Sequence, residues 1–75
     1  KWKIMIEIWS KPQCPFCDKA ENLCIQKDLE YKKYMLDVDF TRDEFMQKFP
    51  TARTFPQILV DGDLVGGYTE FAATF

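Results

Sequence analysis

Histidine is absent from this chain, and that one absence removes every cysteine–histidine nucleophile pair and the nitrogen donors of mixed zinc sites. Cysteine is scarce and odd in number, three residues, where a small domain stapled for an oxidising compartment usually carries four or more in an even count. A reducing, cytoplasmic setting is therefore expected. No apolar run approaches the roughly 18 residues of a membrane span, and no stretch has the form of a signal peptide. Nor is there a basic tract longer than Lys32-Lys33. Ten basic against twelve acidic side chains leave a net charge of −2, so neither nucleic acid nor membrane is an expected partner. Internal repeats, linkers and low-complexity segments are likewise missing.

What is present is apolar and aromatic. The composition is 47% hydrophobic, with seven Phe, three Tyr and two Trp, enough for a core in one small domain spanning 1–75 without a disulfide scaffold. Ile4, Ile6 and Ile8 alternate with Met5, Glu7 and Trp9, which predicts a central strand covered on both faces. Immediately after it comes Cys14-Pro15-Phe16-Cys17. A cysteine pair at this spacing, placed between a strand and a helix, reads as a redox motif.

From Phe16 the periodicity turns helical, with Phe16, Ala20, Leu23 and Cys24 apolar, and it ends near Lys27. Pro15 suits the first turn, where its missing N–H is no loss. Tyr31 to Val38 predicts a second strand, joined to the first by a right-handed parallel crossover. Thr41-Arg42-Asp43-Glu44 has the spacing of a capping box. It would open a short helix that buries Phe45, Met46 and Phe49 and stops at Pro50. Pro56 to Val60, the Asp61-Gly62 turn and Leu64 to Gly66 predict a hairpin. Thr69 could then cap a last helix to Phe75, held by the docking of Phe71 and Phe75. The expected fold class is α/β, a thioredoxin-like fold with a mixed four-stranded sheet flanked by three helices in the order β-α-β-α-β-β-α.

Thiol–disulfide exchange needs a thiolate, and a free cysteine with a pKa near about 8.5 is mostly protonated at neutral pH. A sulfur at the helix N-cap would be stabilised by the first-turn N–H groups and the positive helix end. Cys14 is the candidate for that place, with Lys11 as a nearby cation and Asp18 as an opposing charge. Cys17, Ala20 and Cys24 form one stripe of the helix facing inward, so Cys14 is expected to be the exposed attacker and Cys17 the shielded resolving thiol. Their Cα atoms should lie about 5 to 6 Å apart, within disulfide range. A zinc site lacks ligands, a structural disulfide over so short a loop would constrain little, and Cys24 reads as a core thiol. No metal is expected.

These residues together resemble the glutaredoxin family. The likeness is carried by Lys11 with Cys14-Pro15-Phe16-Cys17, then Thr54-Phe55-Pro56-Gln57-Ile58, then Gly66-Gly67-Tyr68. The family usually has tyrosine at the place of Phe16 and valine at that of Phe55, and many members have aspartate where Thr69 stands. The resemblance implies that Cys14 and Cys17 are catalytic and form the redox disulfide, and that the bond before Pro56 is cis. It further implies a glutathione site of Lys11, Phe16, Phe55, Pro56, Gly67, Tyr68 and Thr69. The Phe55 backbone would pair with the peptide. N–H groups around Gly67, Tyr68 and Thr69 would meet its γ-glutamyl carboxylate, and Lys11 its glycine carboxylate, with Arg42 or Arg53 as helpers.

The implied function is a dithiol glutaredoxin, monomeric and cytoplasmic, with glutathione as reducing co-substrate. Its partners would be disulfide-containing or glutathionylated proteins, ribonucleotide reductase among the candidates. Two alternatives stay open. One is a redoxin reduced by thioredoxin reductase, which the uncharged Thr69 favours. The other is a carrier of a [2Fe–2S] cluster ligated by Cys14 and glutathione, which the rigid Pro15 disfavours.

Overall fold

A computed structural model describes residues 4–52 and 54–74. The element order is β1 (Met5–Ser10), α1 (Pro15–Gln26), β2 (Glu30–Met35), α2 (Arg42–Lys48), β3 (Gln57–Val60), β4 (Asp63–Gly66) and α3 (Tyr68–Thr74). The strands pair in the order β2-β1-β3-β4. β1 runs parallel to β2, with Ile6 opposite Tyr31, and antiparallel to β3, with Ile8 opposite Ile58. The expected mixed four-stranded sheet with a central first strand is thus what the chain forms.

Strand alternation sends successive side chains to opposite faces, and here it builds two cores. Ile6, Ile8 and Ile58, all fully buried, pack with Ala20 and Cys24 of α1 and Phe71 of α3. Leu59, one residue along β3, joins Leu36, Phe40, Phe45 and Phe49 in a second cluster that also gathers Trp9, Tyr34 and Phe55. In that second cluster rings bridge the gap between sheet and α2: Trp9 lies 4.8 Å from Phe40 and 5.6 Å from Phe49, centroid to centroid.

Local chemistry explains most element ends. Pro15 occupies the start of α1 and Cys14 its N-cap. At α2 the capping box forms in full: the Glu44 N–H donates to Thr41 Oγ1 at 3.2 Å and the Thr41 N–H to Glu44 Oε1 at 2.8 Å. The β3–β4 turn uses Asp61 and Gly62, at φ 53° and 88°, the pair of left-handed conformations that a two-residue hairpin with the right twist requires.

Three expectations need correction. β2 stops at Met35, short of Val38, because the Asp39 carboxylate accepts the Met35 N–H at 2.8 Å and the Met35 carbonyl accepts from Val38 and Asp39. Asp37 turns the chain at φ 66° and leaves Val38 78% exposed. Met46 is also exposed, since only Phe45 and Phe49 of its stripe point at the sheet. Thr69 is not a cap: α3 begins at Tyr68, and it is Glu70 that reaches back, its Oε1 accepting the Gly67 N–H at 3.0 Å. Arg53 and Phe75, expected to assist the ligand and to dock α3, lie outside the described residues.

Candidate functional site

The site forms where β1 ends and α1 begins. Ser10 closes the strand, fully buried, its hydroxyl donating to the Tyr34 carbonyl at 2.9 Å. The chain then turns through Gln13 in the left-handed region, φ 56°, and Cys14 takes the extended conformation of an N-cap residue. Its sulfur accepts the Cys17 N–H at 3.2 Å, the place in which serine or aspartate usually satisfies an orphan helix donor. The same interaction that caps the helix thus brings an N–H and the positive helix end onto the sulfur.

Cys14 and Cys17 are joined in a disulfide, with Cα atoms 5.2 Å apart, and Cys24 is free and buried. The expected stripe is confirmed, with Cys17, Ala20 and Cys24 all facing inward. The expected exposure of Cys14 is corrected: in this bonded form it is 6% exposed against 1% for Cys17. What separates the two sulfurs is access. Cys14 lines a cavity of about 390 Å³ with Lys11, Gln13, Pro15, Phe16, Arg42, Thr54 and Phe55, whereas Cys17 does not reach it.

Asp18, the carboxylate of concern in the first turn, is directed elsewhere. Its Oδ1 lies 3.5 Å from Lys33 Nζ, and Lys33 also pairs with Glu21 at 3.0 Å. The Tyr31 hydroxyl donates to the other Glu21 oxygen at 2.8 Å. Hydrogen bonds from Lys33 and then Tyr31 hold the Glu21 carboxyl below its ordinary range, while Glu21 raises both Lys33 and Tyr31. Charge on this side of α1 is therefore compensated within the α1–β2 contact.

The second wall is the loop before β3. The Phe55–Pro56 bond is cis, in agreement with the resemblance, and Pro56 is fully buried. Phe16, Phe55, Pro56, Gly67, Tyr68 and Thr69 line an adjoining cavity of about 270 Å³, with Thr54 and Glu70. The Phe16 and Tyr68 rings stand 6.0 Å apart there. Lys11 lies on the Cys14 side, its Nζ 5.9 Å from the Phe55 ring centroid. Every residue of the expected ligand site thus falls in one of two cavities that share Phe16, Thr54 and Phe55.

Three contributors stand outside the expected ligand site, although two of them, Thr54 and Gln57, belong to the motif that carries the resemblance. Thr54 lines both cavities. Gln57, 7% exposed, donates its side-chain amide to the Thr54 carbonyl at 2.8 Å and so ties down the loop that carries the cis bond. Glu70 occupies the Gly67 N–H. Only Glu70 left a local signal, standing three residues after Gly67, the spacing at which an acid reaches back to an N-cap.

Comparison with known proteins places this arrangement. The family model described as Glutaredoxin matches residues 6–65. Glutaredoxin 1 of Escherichia coli K12 is 35% identical over 74 residues, covering 88% of this chain and 86% of that protein. Glutaredoxin 3 of the same organism is 31% identical over 68 residues, covering 91% and 82%. Among solved structures, reduced Escherichia coli glutaredoxin aligns with a TM-score of 0.69 at 34% identity, covering 93% of this chain and 91% of that one. Glutaredoxin 1 from Francisella tularensis complexed with cacodylate gives 0.82 at 23% identity, covering 95% and 91%. The buckwheat glutaredoxin–glutathione complex gives 0.78 at 22% identity, covering 92% and 66%; these last two speak for the fold.

Proposed function

The chain belongs to the glutaredoxin family, and from that membership we propose that it is a dithiol glutaredoxin, a thiol–disulfide oxidoreductase that draws its electrons from glutathione. The observation that carries this reading is the paired sulfur geometry: Cys14 capped by the Cys17 N–H at the wall of a cavity, with Cys17 bonded to it from beneath.

Two reactions follow. With a glutathione mixed disulfide, the Cys14 thiolate attacks the glutathione sulfur. The substrate thiolate leaves and takes a proton, and Cys14 is left bonded to glutathione. A second glutathione thiolate attacks that sulfur, forming glutathione disulfide and returning Cys14. With a protein disulfide, Cys14 forms a mixed disulfide to the protein and expels its first thiolate. Cys17 then attacks Cys14 and expels the second, producing the Cys14–Cys17 bond seen here. Two glutathione molecules reduce that bond again and leave as one disulfide.

In the ligand site the Phe55 backbone pairs strand-like with the tripeptide, Lys11 meets its glycine carboxylate, and the backbone at Tyr68 and Thr69 meets its γ-glutamyl end, with Phe16, Pro56 and Gly67, whose N–H is held by Glu70, as walls. The cavities these residues line, and the solved glutathione complex of a protein with the same fold, support this assignment. The partners are glutathionylated and disulfide-bonded proteins, ribonucleotide reductase being one candidate, and the acting species is the cytoplasmic monomer.

The deciding experiment is a coupled assay with glutathione, its reductase and a small mixed-disulfide substrate. Cys14→Ser should abolish turnover of both substrate types, and Cys17→Ser should spare deglutathionylation while losing reduction of protein disulfides. Equal loss in both variants contradicts this division of labour. One observation favours a second reading: Thr69 gives the cavity of the Phe55–Pro56 loop no charge at that position. A redoxin served by thioredoxin reductase would show its faster turnover with that enzyme.

A further inference from the structure

Phe55 stands between the aromatic cluster and the cavity of Cys14. Its ring stacks on Phe45 at 4.4 Å with 22° between planes, and lies 6.5 Å from Phe40 in a parallel orientation. Both neighbours are nearly inaccessible, at 3% and 4% exposure, and a ring packed against such partners is held in one orientation. Phe55 also lines the cavity that holds Lys11 and Cys14. There the Lys11 ammonium lies over the ring, 5.9 Å from its centroid.

A lysine at an exposed position normally ranges over many rotamers, and ordering it costs entropy. The face of a fixed aromatic ring attracts a cation and lowers the cost of one placement. We infer that Phe55 is a positioning residue for the reaction: its ring is the seat that keeps the Lys11 ammonium at the Cys14 cavity, beside the attacking sulfur and the incoming ligand carboxylate. This rests on the glutaredoxin reading and adds a role for a side chain whose backbone alone that reading uses.

The arrangement accounts for an otherwise odd choice. A loop residue that needs only its N–H and C=O could carry any apolar side chain, yet here it carries one that reaches into the Phe40–Phe45 stack. The seat is therefore anchored in the second core, and a change there should be felt at Lys11. Among the described residues, the other charged groups on or next to these cavities are Arg42 on the cavity of Cys14, Lys19 drawn over the Phe16 ring at 5.2 Å, Asp18 engaged by Lys33, and Glu70 on the adjoining cavity.

The test uses Phe55→Leu, which keeps apolar bulk and backbone but removes the π face, and Phe55→Tyr, which keeps the face. In a Cys17→Ser background, the rate at which iodoacetamide alkylates Cys14 is followed against pH, and KM for a glutathionylated peptide is measured in parallel. Phe55→Leu should move the alkylation midpoint upward by about half a pH unit, about a threefold smaller thiolate fraction below the midpoint. KM should rise by a similar factor, and Phe55→Tyr should restore both. In a Lys11→Met background Phe55→Leu should change neither, because the seat is then empty.

An unchanged midpoint in Phe55→Leu, or an equal shift with and without Lys11, overturns the inference, as does a lowered Tm with no change in alkylation. Loss of glutathione turnover by the unmutated chain, with the Lys11–Phe55 coupling intact in alkylation, would instead sink the functional reading and leave the seat standing.

Discussion

Cys14, Cys17 and Cys24 are one side chain in three settings, and the setting decides what each can do. Cys14 shares a cavity wall with Lys11 and accepts a helix N–H, Cys17 lies under it at 1% exposure, and Cys24 is fully enclosed. Burial, and after it the Glu21 charge, push the Cys24 thiol up to about 11. Iodoacetamide at about pH 8 should therefore label Cys14 in the native reduced protein and spare Cys24 until the chain is unfolded, a contrast that peptide mass spectrometry reads directly. The same shift has a stability consequence in the oxidised protein. An unfolded thiol ionises near about 8.5, so above that value the unfolded chain holds fewer protons than the folded one. Stability should then fall as pH rises toward about 11, with slope set by the proton difference. Chemical denaturation of Cys24→Ala should show a flatter dependence over that window.

The elements owe their ends to short-range chemistry and their alignment to contacts between them. The Thr41–Glu44 box starts α2, and Thr41→Ala should cost about 1 kcal/mol, read as a lower urea midpoint. All four residues of that box stand in sequence order, which is why the start of α2 was legible. The end of β2 was not, because Tyr31 to Val38 carries enough β-forming residues to continue, and it is the turn at Asp37, with the Asp39 carboxylate on the Met35 N–H and the Met35 carbonyl on Val38 and Asp39, that stops it. A second tie joins α1 to β2 through Glu21, Tyr31 and Lys33. Since these bonds lower the Glu21 carboxyl, its contribution is present above the ordinary carboxylate pKa and is lost as pH falls through the folded value. Glu21→Gln should weaken the protein at neutral pH by at most about 1 kcal/mol, given the partial exposure of the group. The difference from the unmutated chain should close in acid, once pH falls below the ordinary carboxylate range and through the lowered folded value.

At the scale of the whole molecule, the sheet separates a core of Ile6, Ile8, Ile58 and Phe71 from an aromatic core of Phe40, Phe45 and Phe49 that also holds Phe55. Phe45→Ala removes the ring that touches Phe40, Phe49 and Phe55. It should cost about 3 to 5 kcal/mol and lower Tm by more than about 10 °C, seen by calorimetry. The amino-acid order by itself determined the strand and helix periods, the helix-opening cysteine, the inward stripe of Cys17 and Cys24, the capping box and the Asp61-Gly62 turn. Each of these depends on residues within a few positions of one another, where backbone geometry and spacing suffice. Tertiary structure alone decided that Phe55 would stack on Phe45 and that Asp18 would turn to Lys33. It also left Cys14 nearly covered in the bonded form. Those outcomes join segments far apart in the chain or depend on which surfaces the pairing of strands brings face to face, and no local pattern encodes them.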